Sequence, residues 1–186
     1  MNATLPKNKI ALIGYRAVGK TTISSALATI LEIDEVDSDV LIERQTGKTI
    51  AAIFAELGEH VFRDLEENIL AEILACDSNL IVSTGGGAPL RERTRERLRD
   101  NSIVVWLTAT PETIARRMHG DAATRERRPA LTANSSPFEE VRRVLTAREP
   151  IYAAASRLIV DTEGKRPDEI ANEIAQMAIA AGFAKR

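Results

Sequence analysis

Gly14-Tyr15-Arg16-Ala17-Val18-Gly19-Lys20-Thr21-Thr22 follows the apolar run Ile10-Ala11-Leu12-Ile13 and opens into a helical pattern. Read as G-x-x-x-x-G-K-[ST], the stretch is a phosphate-binding P-loop set between a strand and a helix. Gly14 and Gly19 let the backbone curl, so that N–H groups of Ala17, Val18 and their neighbours converge on one anion. The helix beginning at Lys20 adds unpaired donors and the positive end of its dipole, with Thr22 in its first turn. Lys20 can reach the β- and γ-phosphates, and the Thr21 hydroxyl can ligate Mg²⁺. A chance glycine turn rarely carries all the fixed positions in this context. The expectation is a protein that holds a nucleoside triphosphate.

Outward from the loop, Ile23, Leu27, Ile30 and Leu31 recur at helical spacing. Val36-Asp37-Ser38-Asp39 reads as a brief second strand, with Asp39 suited to cap the helix that Gly47 ends. Thr49 to Leu57 reads as a short helix closed by Gly58, and Glu59 to Cys76 as a long amphipathic one. A third strand, Leu80 to Thr84, runs straight into Gly85-Gly86-Gly87. A charged helix (Arg91 to Arg99), a fourth strand (Ile103 to Leu107) and a helix opened by Thr110-Pro111 follow. Between Gly120 and Pro137 periodicity is lost, and a stretch of that kind is a lid, a binding loop or disordered. Phe138 to Arg148 returns to helix, Leu158 to Val160 gives a fifth strand, and Pro167 to Ala181 closes the chain. Strands alternating with helices indicate an α/β fold on a parallel sheet, with ligands at the carboxyl ends of the strands. The P-loop, the acidic pair and the glycine triplet then meet at one edge.

Composition bounds the function. The 186 residues are 44% hydrophobic and 28% charged, which suits one domain, 1–186, with a full-sized core. A net charge of −2 gives no reason to expect nucleic-acid binding. Arg outnumbers Lys by about three to one. That suits a protein handling anions, although an Arg-rich genome yields the same bias. Cys76 is the single cysteine, so a reducing, cytoplasmic setting is expected. The first residues lack a signal peptide's apolar core, and no run approaches the ~18 apolar residues of a membrane span.

A P-loop alone does not separate a kinase from a switch or a motor. Asp37 and Asp39, two apart on an extended segment, share a face. One could join a Mg²⁺ shell while the other holds or deprotonates an acceptor hydroxyl; helix capping and a turn are the structural alternative. Arg63 and Glu66 face the same way on a helix, so the carboxylate can aim the guanidinium at an anion, unless they are a routine surface pair. Gly85, Gly86 and Gly87 permit close approach of backbone to a ligand. Arg125, Arg127 and Arg128 could swing over the phosphates or form a solvated basic loop. Arg148 is a further anion-ligand candidate. His60 and His119 lack metal-ligand spacing.

In order, the acidic pair, Phe62-Arg63-Asp64-Leu65-Glu66, the Thr84–Gly87 turn, Arg128-Pro129-Ala130-Leu131 and Arg148-Glu149-Pro150-Ile151-Tyr152 resemble the shikimate kinase family. The resemblance runs from about Ile10 to Ala178. It implies a three-layer P-loop kinase fold, with a central five-stranded parallel sheet, helices on both faces and a mobile lid over about 120–137. The implied reaction is ATP-dependent phosphorylation of the 3-hydroxyl of shikimate, with Mg²⁺, in the chorismate pathway to aromatic amino acids. By the resemblance, Lys20, Asp39 and Arg128 are catalytic, and Asp39, Arg63, Gly85–Gly87 and Arg148 bind shikimate. Glu66 braces Arg63, while Ile50, Phe54 and Phe62 form the apolar side of the ring pocket. Thr21 ligates the metal and Asp37 sits near it, mostly through water; Arg117 and the Lys165–Pro167 segment flank the adenine.

The sequence departs from the family pattern at Ala130, where Leu commonly follows Pro, and in the uncharged run Ala153-Ala154-Ala155. Which of Arg125, Arg127 and Arg128 reaches the phosphates stays open. The nearest rival is another small-molecule kinase, such as a gluconate kinase. A regulatory protein that has lost catalysis would lack Lys20, Asp39 or the lid arginine, and all are present. The expected partner is a small molecule, with no nucleic acid or membrane, and the expected state is a monomer.

Overall fold

The computed structural model describes residues 7–120 and 137–184. The described strands are β1 (Lys9–Ile13), β2 (Asp34–Asp37), β3 (Leu80–Ser83), β4 (Ile103–Thr108) and β5 (Leu158–Asp161). They form one parallel sheet in the order β2-β3-β1-β4-β5. Alternation along β1 explains why it is apolar from Ile10 to Ile13. Ile10 and Leu12 face Ile23 and Leu27 of α1 (Lys20–Leu31) and Ile170 and Ile174 of α7 (Pro167–Ala180). Ala11 and Ile13 face the opposite way. Their partners include Phe62 and Ile69 of α3 (Ile50–Ala75), Leu98 of α4 (Glu92–Asn101) and Tyr152 of α6 (Pro137–Ala155). A strand covered on both faces has no polar side to show. Each fully buried Ile or Leu contributes about 1.5–3 kcal/mol.

β1 has β3 on one side and β4 on the other. The chain leaves β1 toward the β2–β3 side and later returns to build β4 and β5. Such a reversal opens a crevice at the carboxyl ends of the central strands, and the P-loop leaves β1 there.

Two boundaries differ from the sequence reading. β2 stops at Asp37, and Ser38 and Asp39 already belong to α2 (Ser38–Thr46). Asp37, not Asp39, is the N-cap: its Oδ1 accepts from the Asp39 N–H at 2.9 Å and the Val40 N–H at 3.4 Å. The extended backbone of Asp37 lets its carboxylate reach donors two and three residues on. The two aspartates therefore meet as cap and first turn rather than as one face of a strand. At Gly58 the sequence reading holds: its non-helical φ 82°, ψ 168°, a conformation open to glycine, divides α3 into two helical segments across a kink. Helix α6 does not end at Arg148 but continues through Pro150 to Ala155. Proline costs a helix an N–H donor. Buried Tyr152 and Ala155 hold the far end regardless, the Tyr152 hydroxyl donating to Gly86 O at 2.6 Å. Ile30, placed on the apolar face of α1, is 38% exposed.

Among the described residues the remaining α-helix is α5 (Pro111–Gly120), capped by Thr110, whose hydroxyl accepts from the Thr113 N–H at 3.2 Å. The expected lid with Arg125, Arg127 and Arg128 falls almost wholly on 121–136, outside the described residues. No described helix is long and apolar enough to cross a membrane.

Candidate active site

The P-loop is shaped by close contacts and left-handed backbone. Gly14 has φ 142°, and a Cβ there would sit 2.6 Å from Leu107 O, so β4 itself excludes a side chain. Ala17 adopts φ 60°, which costs a non-glycine residue about 1–2 kcal/mol. Lys20 is nearly buried, and its ammonium donates to Gly14 O and Tyr15 O, each at 2.9 Å. The lysine thus closes the loop on itself, with its charge held at the phosphate position. The Thr21 hydroxyl donates to Asp37 Oδ2 at 3.2 Å.

Lys20, Thr21 and Asp37 line a pocket of about 230 Å³, together with Arg16, Asp39, Glu43, Ile50, Thr84 and Gly86. That is several times the ~30 Å³ share of a liquid water, so the space suits a substrate group rather than a solvent molecule. Ala17, Gly19 and Thr22 also line a second pocket, beyond the loop, with Val18, Arg117, Thr162, Lys165 and Pro167. Arg117 is fixed there by Val18 O at 3.3 Å, and by the Thr162 hydroxyl and carbonyl at 3.2 Å each. The P-loop is the wall between the two spaces.

Across the glycine turn the site is built around Arg63. Its Nη1 donates to Glu66 Oε2 at 2.5 Å and its Nη2 to Glu59 Oε1 at 3.1 Å. Burial works against the guanidinium charge, but the Glu66 and Glu59 carboxylates together outweigh it and hold its pKa above the ordinary value. Glu66 is itself buried. Gly87 explains how the fork is seated: a Cβ there would lie 2.5 Å from Arg63 Cζ. At Gly86 a Cβ would meet Gly14 O at 3.3 Å and Arg16 N at 3.4 Å. None of Gly85, Gly86 or Gly87 has a positive φ, so close approach, to the arginine and to the P-loop, is what requires glycine at 86 and 87. Gly85 N–H donates to the Ser38 hydroxyl at 3.1 Å, tying the turn to α2. Arg148 Nη1 donates to Gly86 O at 3.4 Å.

Of the residues singled out from sequence, the structure brings Lys20, Thr21, Asp37 and Asp39 into one pocket, and Arg63, Glu66 and Arg148 around the glycine turn beside it. Phe62 has no exposed surface and stacks on Phe54 with ring centres 4.6 Å apart. Ile50 lines the pocket directly, held by Glu43 Oε1, which accepts from its N–H at 3.0 Å. Glu43 and Arg16 were missed; neither occupies a fixed motif position, and only the folded proximity reveals them. Oxygen donors, Thr21 Oγ1 and Asp37 Oδ2, fit a hard cation that keeps its waters and takes phosphate oxygens, as Mg²⁺ does. Among the described residues no cluster of three His, Cys, Asp or Glu offers a fuller cage.

A phosphate-binding loop, a carboxylate beside it and a braced arginine across a glycine turn define a P-loop phosphotransferase with a small-molecule acceptor. The chain belongs to the shikimate kinase family, the ATP- and Mg²⁺-dependent kinases of the aromatic amino-acid pathway: the family model for shikimate kinase matches residues 16–178. It is 40% identical over 177 residues to the shikimate kinase of Rhodopirellula baltica, covering 95% of this chain and 94% of the relative. The solved structure of Acinetobacter baumannii shikimate kinase in complex with shikimate superposes with a TM-score of 0.86 at 34% identity. The match covers 97% of each chain. A gluconokinase from Sinorhizobium meliloti, at TM-score 0.56 and 16% identity over 95% of this chain and 94% of its own, shares the fold alone.

Gly87→Ala tests the seat of Arg63 without disturbing the backbone, because Gly87 already has φ −104°. The methyl must push the guanidinium out, removing a charge-assisted contact worth about 1.5–3 kcal/mol. The acceptor KM should rise about ten- to a hundredfold, with the ATP KM within about twofold, in steady-state kinetics.

Proposed function

We propose that this chain transfers the γ-phosphoryl group of ATP to the 3-hydroxyl of shikimate, giving shikimate 3-phosphate and ADP. The observation that carries the reading is the Arg63 guanidinium, held by buried Glu66 and pressed against Gly87, next to the pocket of Lys20 and Asp39. A carboxylated ring with vicinal hydroxyls needs those parts together: a rigid cationic fork, a carboxylate acceptor and bare backbone.

Arg63 and Arg148 hold the substrate carboxylate, with Gly85–Gly87, Ile50, Phe54 and Phe62 shaping the ring pocket. Asp39 accepts the 3-hydroxyl proton as the oxygen–phosphorus bond forms and the bond from the γ-phosphorus to the bridging oxygen of ADP breaks. Lys20 leaves its two loop carbonyls for the β- and γ-phosphates. Thr21 and Asp37 would hold Mg²⁺, directly and through water; bound there it supplies positive charge to the phosphates. Arg117, Lys165 and Pro167 flank the adenine. Arg128, in a lid over about 120–137 that excludes water as a competing acceptor, completes the set. The chain works as a single cytoplasmic domain and a monomer.

An ADP-release assay with shikimate, gluconate and quinate tests the acceptor directly. Turnover should be confined largely to shikimate, and its absence there overturns the assignment. Arg63→Ala should raise the shikimate KM by about ten- to a hundredfold with ATP affinity nearly unchanged. Equal loss of both affinities would mean that the acceptor site lies elsewhere.

A further inference from the structure

Two P-loop residues are engaged away from the phosphates. Tyr15 is 2% exposed and packs with Ile114 of α5 and Val141 and Leu145 of α6. Arg16 sends its guanidinium to Glu140 of α6, Nη2 to Oε1 at 3.6 Å, with both side chains largely buried. Arg16 Nε finds no hydrogen-bond partner among the described residues, and the Glu140 carboxylate balances the guanidinium charge. The Arg148 guanidinium lies 5.9 Å from the centre of the Tyr15 ring, within cation–π range. Glu140 and Arg148 are eight residues apart, about two turns of one helix, and so share a side of it. A loop built for the donor is thereby fastened to the helix that carries an acceptor arginine.

We propose that Tyr15, Arg16 and Glu140 are positioning residues that hold α6 against the P-loop and set the place of Arg148. The proposal rests on Arg148 being a ligand of the acceptor carboxylate. It makes shikimate affinity depend on an ion pair that ties the pocket-lining Arg16 to Glu140 of α6. Stranding one charge of a buried pair is costly, whereas an apolar pair of similar volume is often tolerated. That asymmetry gives the test its control.

Glu140→Gln should raise the shikimate KM at least fivefold, with kcat and the ATP KM within twofold. The double variant Arg16→Met/Glu140→Leu should bring the shikimate KM back toward the parent value. Tyr15→Phe removes a hydroxyl that has no hydrogen-bond partner among the described residues, and should leave the KM unchanged. Tyr15→Leu removes the ring face and should raise it. A fully additive Arg16/Glu140 cycle, or a shikimate KM within twofold in both Glu140→Gln and Tyr15→Leu while Arg148→Ala raises it, overturns the proposal alone. If Arg148→Ala itself leaves the shikimate KM unchanged, the acceptor reading of Arg148 falls first. Melting temperatures of all variants separate loss of fold from loss of position.

Discussion

Replacing Lys20 by methionine is expected to lower kcat by about 10²–10³-fold, the usual loss when one preorganised cationic or donor group is taken from a developing charge. The structure adds a second, separable consequence. The Lys20 ammonium donates to Gly14 O and Tyr15 O at 2.9 Å each, so the same substitution takes donors from two carbonyls of the loop. A buried acceptor left without its partner costs about 1–3 kcal/mol. In a chain of this length each kcal/mol lowers Tm by about 2–4 °C. Lys20→Met should therefore also melt several degrees early without nucleotide, in thermal denaturation followed by circular dichroism. Lys20→Arg should recover much of the stability and little of the rate, because a planar fork cannot reproduce a point charge at this position. Turnover within tenfold of the parent in Lys20→Met would assign phosphate neutralisation to another residue.

The sheet was legible because its signal is local. Ile10-Ala11-Leu12-Ile13 is apolar without alternation, and the structure buries all four residues on two opposite faces. Burial pattern, not propensity, carried that reading. The boundaries that slipped did so where tertiary contacts override local chemistry. Pro150 is a strong local stop, yet α6 runs through it because Tyr152 is anchored to Gly86 O. Asp39 looked like a cap because it precedes an apolar run, but Asp37 lies two residues earlier with its carboxylate already aimed at Asp39 N–H.

The site divides along the same line. Lys20, Thr21, Arg63 and Glu66 could be named because their spacing within one element already sets their geometry. The i,i+3 pair of Arg63 and Glu66 needs only a helix to meet. Arg16, Glu43 and Glu140 could not be found this way. Arg16 and Glu140 are 124 positions apart and belong to the loop after β1 and to α6, so only the completed sheet brings them within 3.6 Å. The glycine triplet fell between these cases. Its presence marked close approach, but that the approaching group at Gly87 is the Arg63 guanidinium depends on α3 packing across the turn.

Asp39→Asn is the sharper probe of chemistry, since it preserves shape and hydrogen-bonding capacity and removes only the ability to take a proton. The cap of α2 should survive, because Asp37 Oδ1 binds the backbone N–H of residue 39, not its side chain. The first turn places Asp39 in the pocket with Lys20 and Thr21. General-base assistance of this kind contributes about 10²–10⁴-fold. Phosphoryl transfer has a loose transition state in which the acceptor proton is lost late, which favours the lower part of that range. The expected result is a kcat reduced by about 10²–10³-fold, with the calorimetric Kd of ATP unchanged and that of shikimate raised by less than about tenfold. If instead the shikimate Kd rises as much as kcat/KM falls, Asp39 is a binding group. The proton would then leave by another route, through the γ-phosphate oxygens or solvent.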